Sequence, residues 1–256
     1  MKYFTAEELK GSHREEVSAK LKNCAGKNVR YNFGIDVLNS YAKSLGWRKE
    51  EAKVLDLGTA SGLFLQQLTE AGFKNLYAHD ILEYLPAEVK PLVKEYKLAE
   101  LSTEKLPWPD NTFDAVTAWC VIPHLENPFH ASREVNRVLK TGGIFLFTTP
   151  HVLSRPSIDF LMHKGYFASY RPENNHIALL PKGILEKTIF RGFRVLGTEY
   201  LVTPKVFRGW KGKLREIVFR IAKKFPKLEQ ALKYRWAYNV CYVIQKDSSP
   251  SATPTE

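Results

Sequence analysis

The sequence predicts an α/β protein: an open sheet of largely parallel strands joined by right-handed helical crossovers. Three observations predict it. The stretch Val54–Leu68, VLDLGTASGLFLQQL, reads as a buried strand, a glycine turn from Gly58 to Gly62 and a helix start. Strand-like runs at 53–57, 75–80, 97–101, 113–119 and 143–149 alternate with helical runs at 62–71, 87–96 and 128–140. The chain, at 256 residues with 44% hydrophobic content, is also long enough to bury a full core.

The glycine turn is the most informative element. Glycine lets bare backbone approach a ligand, and the helix that follows offers unpaired N–H groups to an anionic group. A small-molecule cofactor is therefore expected at the carboxyl end of the first strand. Asp80 closes the second strand 22 residues after Gly58, where a carboxylate can accept hydrogen bonds from ribose hydroxyls. Glu100 and Leu101 are read as the end of the third strand at the same cleft. The dinucleotide fingerprint G-x-G-x-x-G is missing; Gly58-Thr-Ala-Ser-Gly62 stands in its place.

Outside this block, residues 5–22 read as an exposed helix with Thr5 as N-cap, and 34–46 as an amphipathic helix carrying Ile35, Leu38, Tyr41, Ala42 and Leu45. Together residues 1–50 suit a helical cap over the cleft, or packing alone. Residues 151–180 are rich in proline, histidine, asparagine and aromatics with weak periodicity, and are read as a lid over the substrate. A helix over 181–191 opened by Pro181, and strands at 193–202 and 238–245, follow. The single domain is expected to end near residue 246, and 247–256 has a disordered composition.

The three cysteines, Cys24, Cys120 and Cys241, are too few and too dispersed for a disulfide framework, and no signal peptide or spanning segment is visible. A cytoplasmic setting is expected. The formal net charge of +11 points to an anionic partner. Between Pro204 and Lys246 there are twelve Lys and Arg against Glu216 and Glu229, so nearly all the excess lies in one insertion, 204–235 and its flank. Within it, Trp210, Leu214, Ile217, Val218, Ile221 and Phe225 form one helical stripe with basic residues around it. Three readings stand: an anchor on an anionic membrane surface, a stripe packed on the sheet with its charges outward, or, less favoured, a nucleic-acid surface.

The motifs DLGTASG (56–62), AHD (78–80), AEL…EKLPWPDNTFDAV (99–116), IPHLENP (122–128) and REVNRVLKTGGIFLFTTP (133–150) occur in one order. In these the sequence resembles the class I S-adenosylmethionine-dependent methyltransferases, specifically the type 11 group, with Ala60 in place of a middle glycine. The resemblance implies a Rossmann-like sheet of seven strands in the order 3-2-1-4-5-7-6, the last antiparallel, with helices on both faces. It implies S-adenosyl-L-methionine as cofactor. The turn of Asp56, Gly58, Ala60, Ser61 and Gly62 would hold its methionine part and Asp80 its ribose. Glu100 and Leu101 would border the adenine, and Trp119 and Cys120 would lie under the sulfonium.

Methyl transfer is an in-line displacement that rests mainly on positioning, and a hydroxyl acceptor also needs a base. The candidate bases are His124, His151 and His176, each of which can equally be a packing or capping group. Arg155, Tyr166, Tyr170 and Arg171 are the candidate substrate contacts. No metal site is expected, since paired carboxylates and His-x-x-x-His spacing are missing. The resulting expectation is O-methylation of a small-molecule, glycan or lipid-linked acceptor near the membrane surface, with Trp210, Leu214, Ile217, Ile221 and Phe225 as the membrane contact. The rivals are an RNA-modifying methyltransferase and a non-catalytic protein of the same fold.

Overall fold

The computed structural model describes residues 29–247, so the expected helix over 5–22 and nearly all of the expected tail lie outside the described residues. Seven strands form one sheet: β1 (Lys53–Leu57), β2 (Asn75–Asp80), β3 (Glu95–Leu98), β4 (Phe113–Ala118), β5 (Leu139–Pro150), β6 (Phe193–Leu201) and β7 (Asn239–Lys246). Their order is β3-β2-β1-β4-β5-β7-β6. The first five strands pair in parallel, and β7 runs antiparallel to both β5 and β6.

Both faces of the sheet are covered, which explains why the central strands are nearly continuous apolar runs. On one face Leu55, Leu57, Val116, Phe145 and Phe147 meet the helix α3 (Pro128–Val138) through Ala131, Val135 and Val138. On the other, Val54, Ala115, Ile144 and Leu146 pack with α1 (Val29–Ser44) and α2 (Leu63–Glu70). Successive residues of one strand thus serve opposite cores.

Three expectations need correction. The run 87–96 is not a helix: only the 3-10 turn Lys90–Leu92 forms, with Pro91 inside it, and β3 already begins at Glu95. Since β3 ends at Leu98, Glu100 and Leu101 lie in the turn beyond it. Residues 151–180 are not all irregular, because α4 (Arg155–Lys164) opens them with a proline in its first turn. That helix buries only Ser157, so it left no apolar period to read.

After α5 (Lys182–Lys187) and β6, the basic insertion is two helices, α6 (Gly209–Ala222) and α7 (Pro226–Trp236). The register explains where it emerges: Pro150 of β5 faces Asn239 of β7, which faces Leu201 of β6. The excursion from Leu201 to Asn239 therefore leaves and re-enters at the carboxyl edge of β1, β4 and β5. Among the described residues, no helix is long and apolar enough to cross a membrane.

Candidate cofactor site

The site grows from the turn between β1 and α2. Gly58 and Gly62 have φ of +64° and +72°, and a Cβ on either would come within 2.5 Å of Val121 or Val89 respectively. Glycine is demanded there by both backbone and space. Between them Ala60 adopts φ +50°, so the turn keeps its left-handed shape although alanine is disfavoured in it. Ser61 is half-buried beside it. A second strained residue, Cys120 at φ +59°, stands at the carboxyl end of β4 on the same edge.

The turn is bound to β2. Thr59 Oγ1 donates to the carbonyls of Asp56 and His79 at 3.0 and 3.2 Å. Asp80 accepts from the Ala60 N–H and the Ile81 N–H, each at 2.8 Å. Asp80 is 4% exposed and Asp56 3%, so two carboxylates are buried at one strand edge. Burial pushes the Asp56 carboxyl up to about 7, the Thr117 hydroxyl opposes this, and the Asp80 charge adds to it. Thr117 donates to Asp56 Oδ1 at 2.6 Å. The Asp56 carboxyl and the N-terminus of α2 fit the ammonium and carboxylate of an amino-acid group, and Asp80 at the end of β2 fits ribose hydroxyls. S-adenosylmethionine carries all three groups, so these residues fit that cofactor.

The other expected cofactor residues are placed differently from one another. Trp119 is wedged between α1 and α2, with Phe64 at 5.0 Å between ring centroids and its Nε1 buried without a hydrogen-bond partner. Gly34 of α1 makes this possible, since a Cβ there would lie 2.7 Å from the indole. Cys120 donates its N–H to Thr148 Oγ1 at 2.8 Å, and its sulfur accepts from Arg30 and Asn239, each at 3.7 Å. Glu100 caps its own turn, accepting from the Ser102 N–H at 3.1 Å. The Leu101 side chain is buried in the core, while its carbonyl is bonded by His130.

The three candidate bases separate. His124 and His176 meet ring to ring at 4.5 Å, and Tyr170 lies 5.5 Å from His176. His124 Nδ1 lies 3.2 Å from the Asn175 carbonyl and His176 Nδ1 2.6 Å from that of Ser169. A carbonyl can only accept, so Nδ1 carries the proton in both rings and Nε2 carries the basic lone pair. Tyr170 donates to the Ala178 carbonyl at 2.9 Å, and burial pushes its hydroxyl up to about 12. His151 instead turns to α7: its Nε2 donates to the Tyr234 carbonyl at 2.8 Å, and its ring packs on Tyr200 and Tyr234. Burial holds it below the usual histidine range.

Tyr166 and Arg171 line an outer cavity of about 310 Å³ with Phe160, Glu173 and Asn174. Arg155 is not part of that lining; it pairs with Asp159 one turn along α4. Sequence reading overlooked Thr59, Thr117, Arg30 and Asn239. The hydroxyls left no pattern, and Asn239 stands 119 residues from the cysteine it touches.

An α/β sheet of this order, with a strained glycine turn locked to the acid at the end of β2, defines the class I methyltransferase architecture. Residues 55–147 match the family "Methyltransferase domain" (Methyltransf_11), and this match together with the fold supports a class I S-adenosylmethionine-dependent methyltransferase. A chloroplastic methyltransferase of Arabidopsis thaliana is 29% identical over 110 residues, covering 39% of this chain and 31% of that protein. The demethylmenaquinone methyltransferase of Chlorobaculum parvum is 24% identical over 144 residues, 56% of either chain. The chain thus spans about a third to about half the length of these curated relatives.

Among solved structures, a chain of the complex between the Trm112 methyltransferase activator of Haloferax volcanii and its methyltransferase matches with a TM-score of 0.55 at 16% identity, over 80% of this chain and 86% of that one. The [4+2]-cyclase SpnF matches with a TM-score of 0.52 at 20% identity, over 77% and 76%. These likenesses establish the fold.

Proposed function

We propose that the protein transfers a methyl group from S-adenosylmethionine to an oxygen of a small-molecule, glycan or lipid-linked acceptor. The observation that carries this reading is the buried pair Asp56 and Asp80 at a strained glycine turn, within the segment that matches the methyltransferase family. When bound, the cofactor supplies an electrophilic methyl group on a sulfonium. The chain's own residues then do three things. Asp80 and the Gly58–Gly62 turn orient the ligand. Cys120 and Asn239 border the reacting edge, where Asn239 Oδ1 is buried without a hydrogen-bond partner and can accept from an acceptor hydroxyl. The paired His124 and His176 present Nε2 as a base for the hydroxyl proton.

Calorimetry with S-adenosylmethionine, S-adenosylhomocysteine and NAD tests the core of this reading. Both adenosyl compounds should bind and NAD should not. Asp80→Asn should weaken binding by roughly 1–3 kcal/mol, the range for hydrogen bonds to a charged group. Failure of both adenosyl compounds to bind the wild-type chain would overturn the reading.

A further inference from the structure

The stripe on α6 does not pack on the sheet. The helix ends at Ala222 rather than running on to 225, so the stripe is carried by Trp210, Leu214, Ile217 and Ile221, 73%, 58%, 52% and 54% exposed, with Phe225, 56% exposed, in the turn before α7. The face that α6 turns inward is a different one, made of Gly212, Arg215, Phe219 and Ala222. Phe219 meets Phe207 edge to face, Arg215 lies over Trp236 and bonds the Val206 carbonyl, and a Cβ on Gly212 would strike the Phe207 backbone. At 100° per residue the outward stripe spans less than about a quarter of the helix circumference and is centred well away from that inward face. So α6 is held by one face while another, fully apolar, is presented to the surroundings.

We propose that α6 and the start of α7 form a docking face for an anionic lipid bilayer. Charge complementarity selects the occupant. Lys213 and Lys224 flank one side of the stripe and Lys211 the other, Arg220 beside Lys213 is paired with Glu216 at 3.0 Å, and Lys227 continues the row into α7 beside exposed Leu228. Aliphatic residues between flanking ammonium groups match the acyl boundary beneath acidic headgroups. A second copy of the chain fits poorly, because two-fold pairing through this face would bring two strongly basic surfaces together. A nucleic acid fits less well, because the stripe is mostly aliphatic and its two rings, Trp210 and Phe225, stand at opposite ends rather than in a run on which successive bases could stack. The insertion leaves the sheet at the carboxyl edge, the same edge that carries the cofactor turn.

Co-sedimentation of the full chain with vesicles tests this. The chain should pellet with equimolar phosphatidylcholine–phosphatidylglycerol vesicles, far less with phosphatidylcholine alone, and less as salt is raised. The double substitution Ile217→Glu and Ile221→Glu should weaken binding at least about tenfold, and Lys213→Ser with Lys224→Ser should weaken it and lessen its salt dependence. S-adenosylhomocysteine affinity, measured in parallel, should be unchanged in both variants. No pelleting, or pelleting indifferent to both variants, would overturn the proposal. It would also be overturned if the Ile217/Ile221 variant changed only self-association in sedimentation velocity, or if an RNA oligonucleotide bound while vesicles did not. Loss of S-adenosylhomocysteine binding in the wild-type chain would strike the transfer reading and leave the docking result intact.

Discussion

His124 and His176 show how backbone carbonyls decide what a histidine can do. Each is tied through Nδ1, so each keeps its basic nitrogen at Nε2. With the first acceptor that supports turnover, substituting either ring by alanine is expected to lower kcat by roughly a hundredfold or more, with cofactor affinity retained. His151, held to the Tyr234 carbonyl, joins the end of β5 to α7.

Asp56 is a residue-scale cost of the same site. Its carboxyl is raised to about 7 by burial, above the ordinary 3.8, so the folded chain holds its proton more tightly than the unfolded chain does. Its contribution to stability is therefore full below about pH 4 and is lost as pH rises through 7. His79 acts in the opposite sense: burial lowers it to about 4, so its contribution is lost as pH falls from 6.5 toward 4. Urea unfolding of Asp56→Asn against wild type separates the two. Relative to wild type, the variant should gain on the order of 3 kcal/mol on going from about pH 5 to about pH 8.

At the scale of elements, α1 is placed by the absence of a side chain. Gly34 lets the helix rest on the Trp119 indole, and Gly197 in β6 admits the Tyr41 hydroxyl from the same helix. Gly34→Ala would gain about 1 kcal/mol of helix propensity and lose about 1–3 kcal/mol to overpacking against the ring. The expected result is a net loss of about 1 kcal/mol in urea unfolding, with weaker S-adenosylhomocysteine binding as Trp119 shifts. An unchanged unfolding midpoint together with unchanged binding would show that the contact carries no load. The contrast with α6 is informative, since α6 also rests on a glycine, Gly212, yet turns its large apolar residues outward.

At the scale of the whole molecule, the sheet was legible because its central strands are buried on both faces and so read as unbroken apolar runs. The glycine turn was legible because Gly58 and Gly62 tolerate no Cβ. What was hidden follows the same physics. The helices α4 and α7 bury almost nothing, one only Ser157 and the other no residue fully, so they carry no apolar period. The false helix at 87–96 came from a run whose Pro86 and Pro91 restrict it to a single short turn. In the site, strand-end acids could be read from spacing. The Thr59 and Thr117 hydroxyls and Asn239 act through contacts between residues far apart in sequence, which no local pattern records.

The ladder that closes the insertion has one more consequence. Leu201 and Asn239 are neighbours across β6 and β7, and the Tyr238 N–H donates to the Leu201 carbonyl at 2.8 Å. Everything from 202 to 238 is thus a cassette clipped between two adjacent strand ends, and replacing it requires no strand to be rethreaded. The cofactor cradle is built from β1, β2 and β4, which share no residue with that cassette. One sheet can therefore keep its methyl donor site constant while the module clipped to its far edge is exchanged.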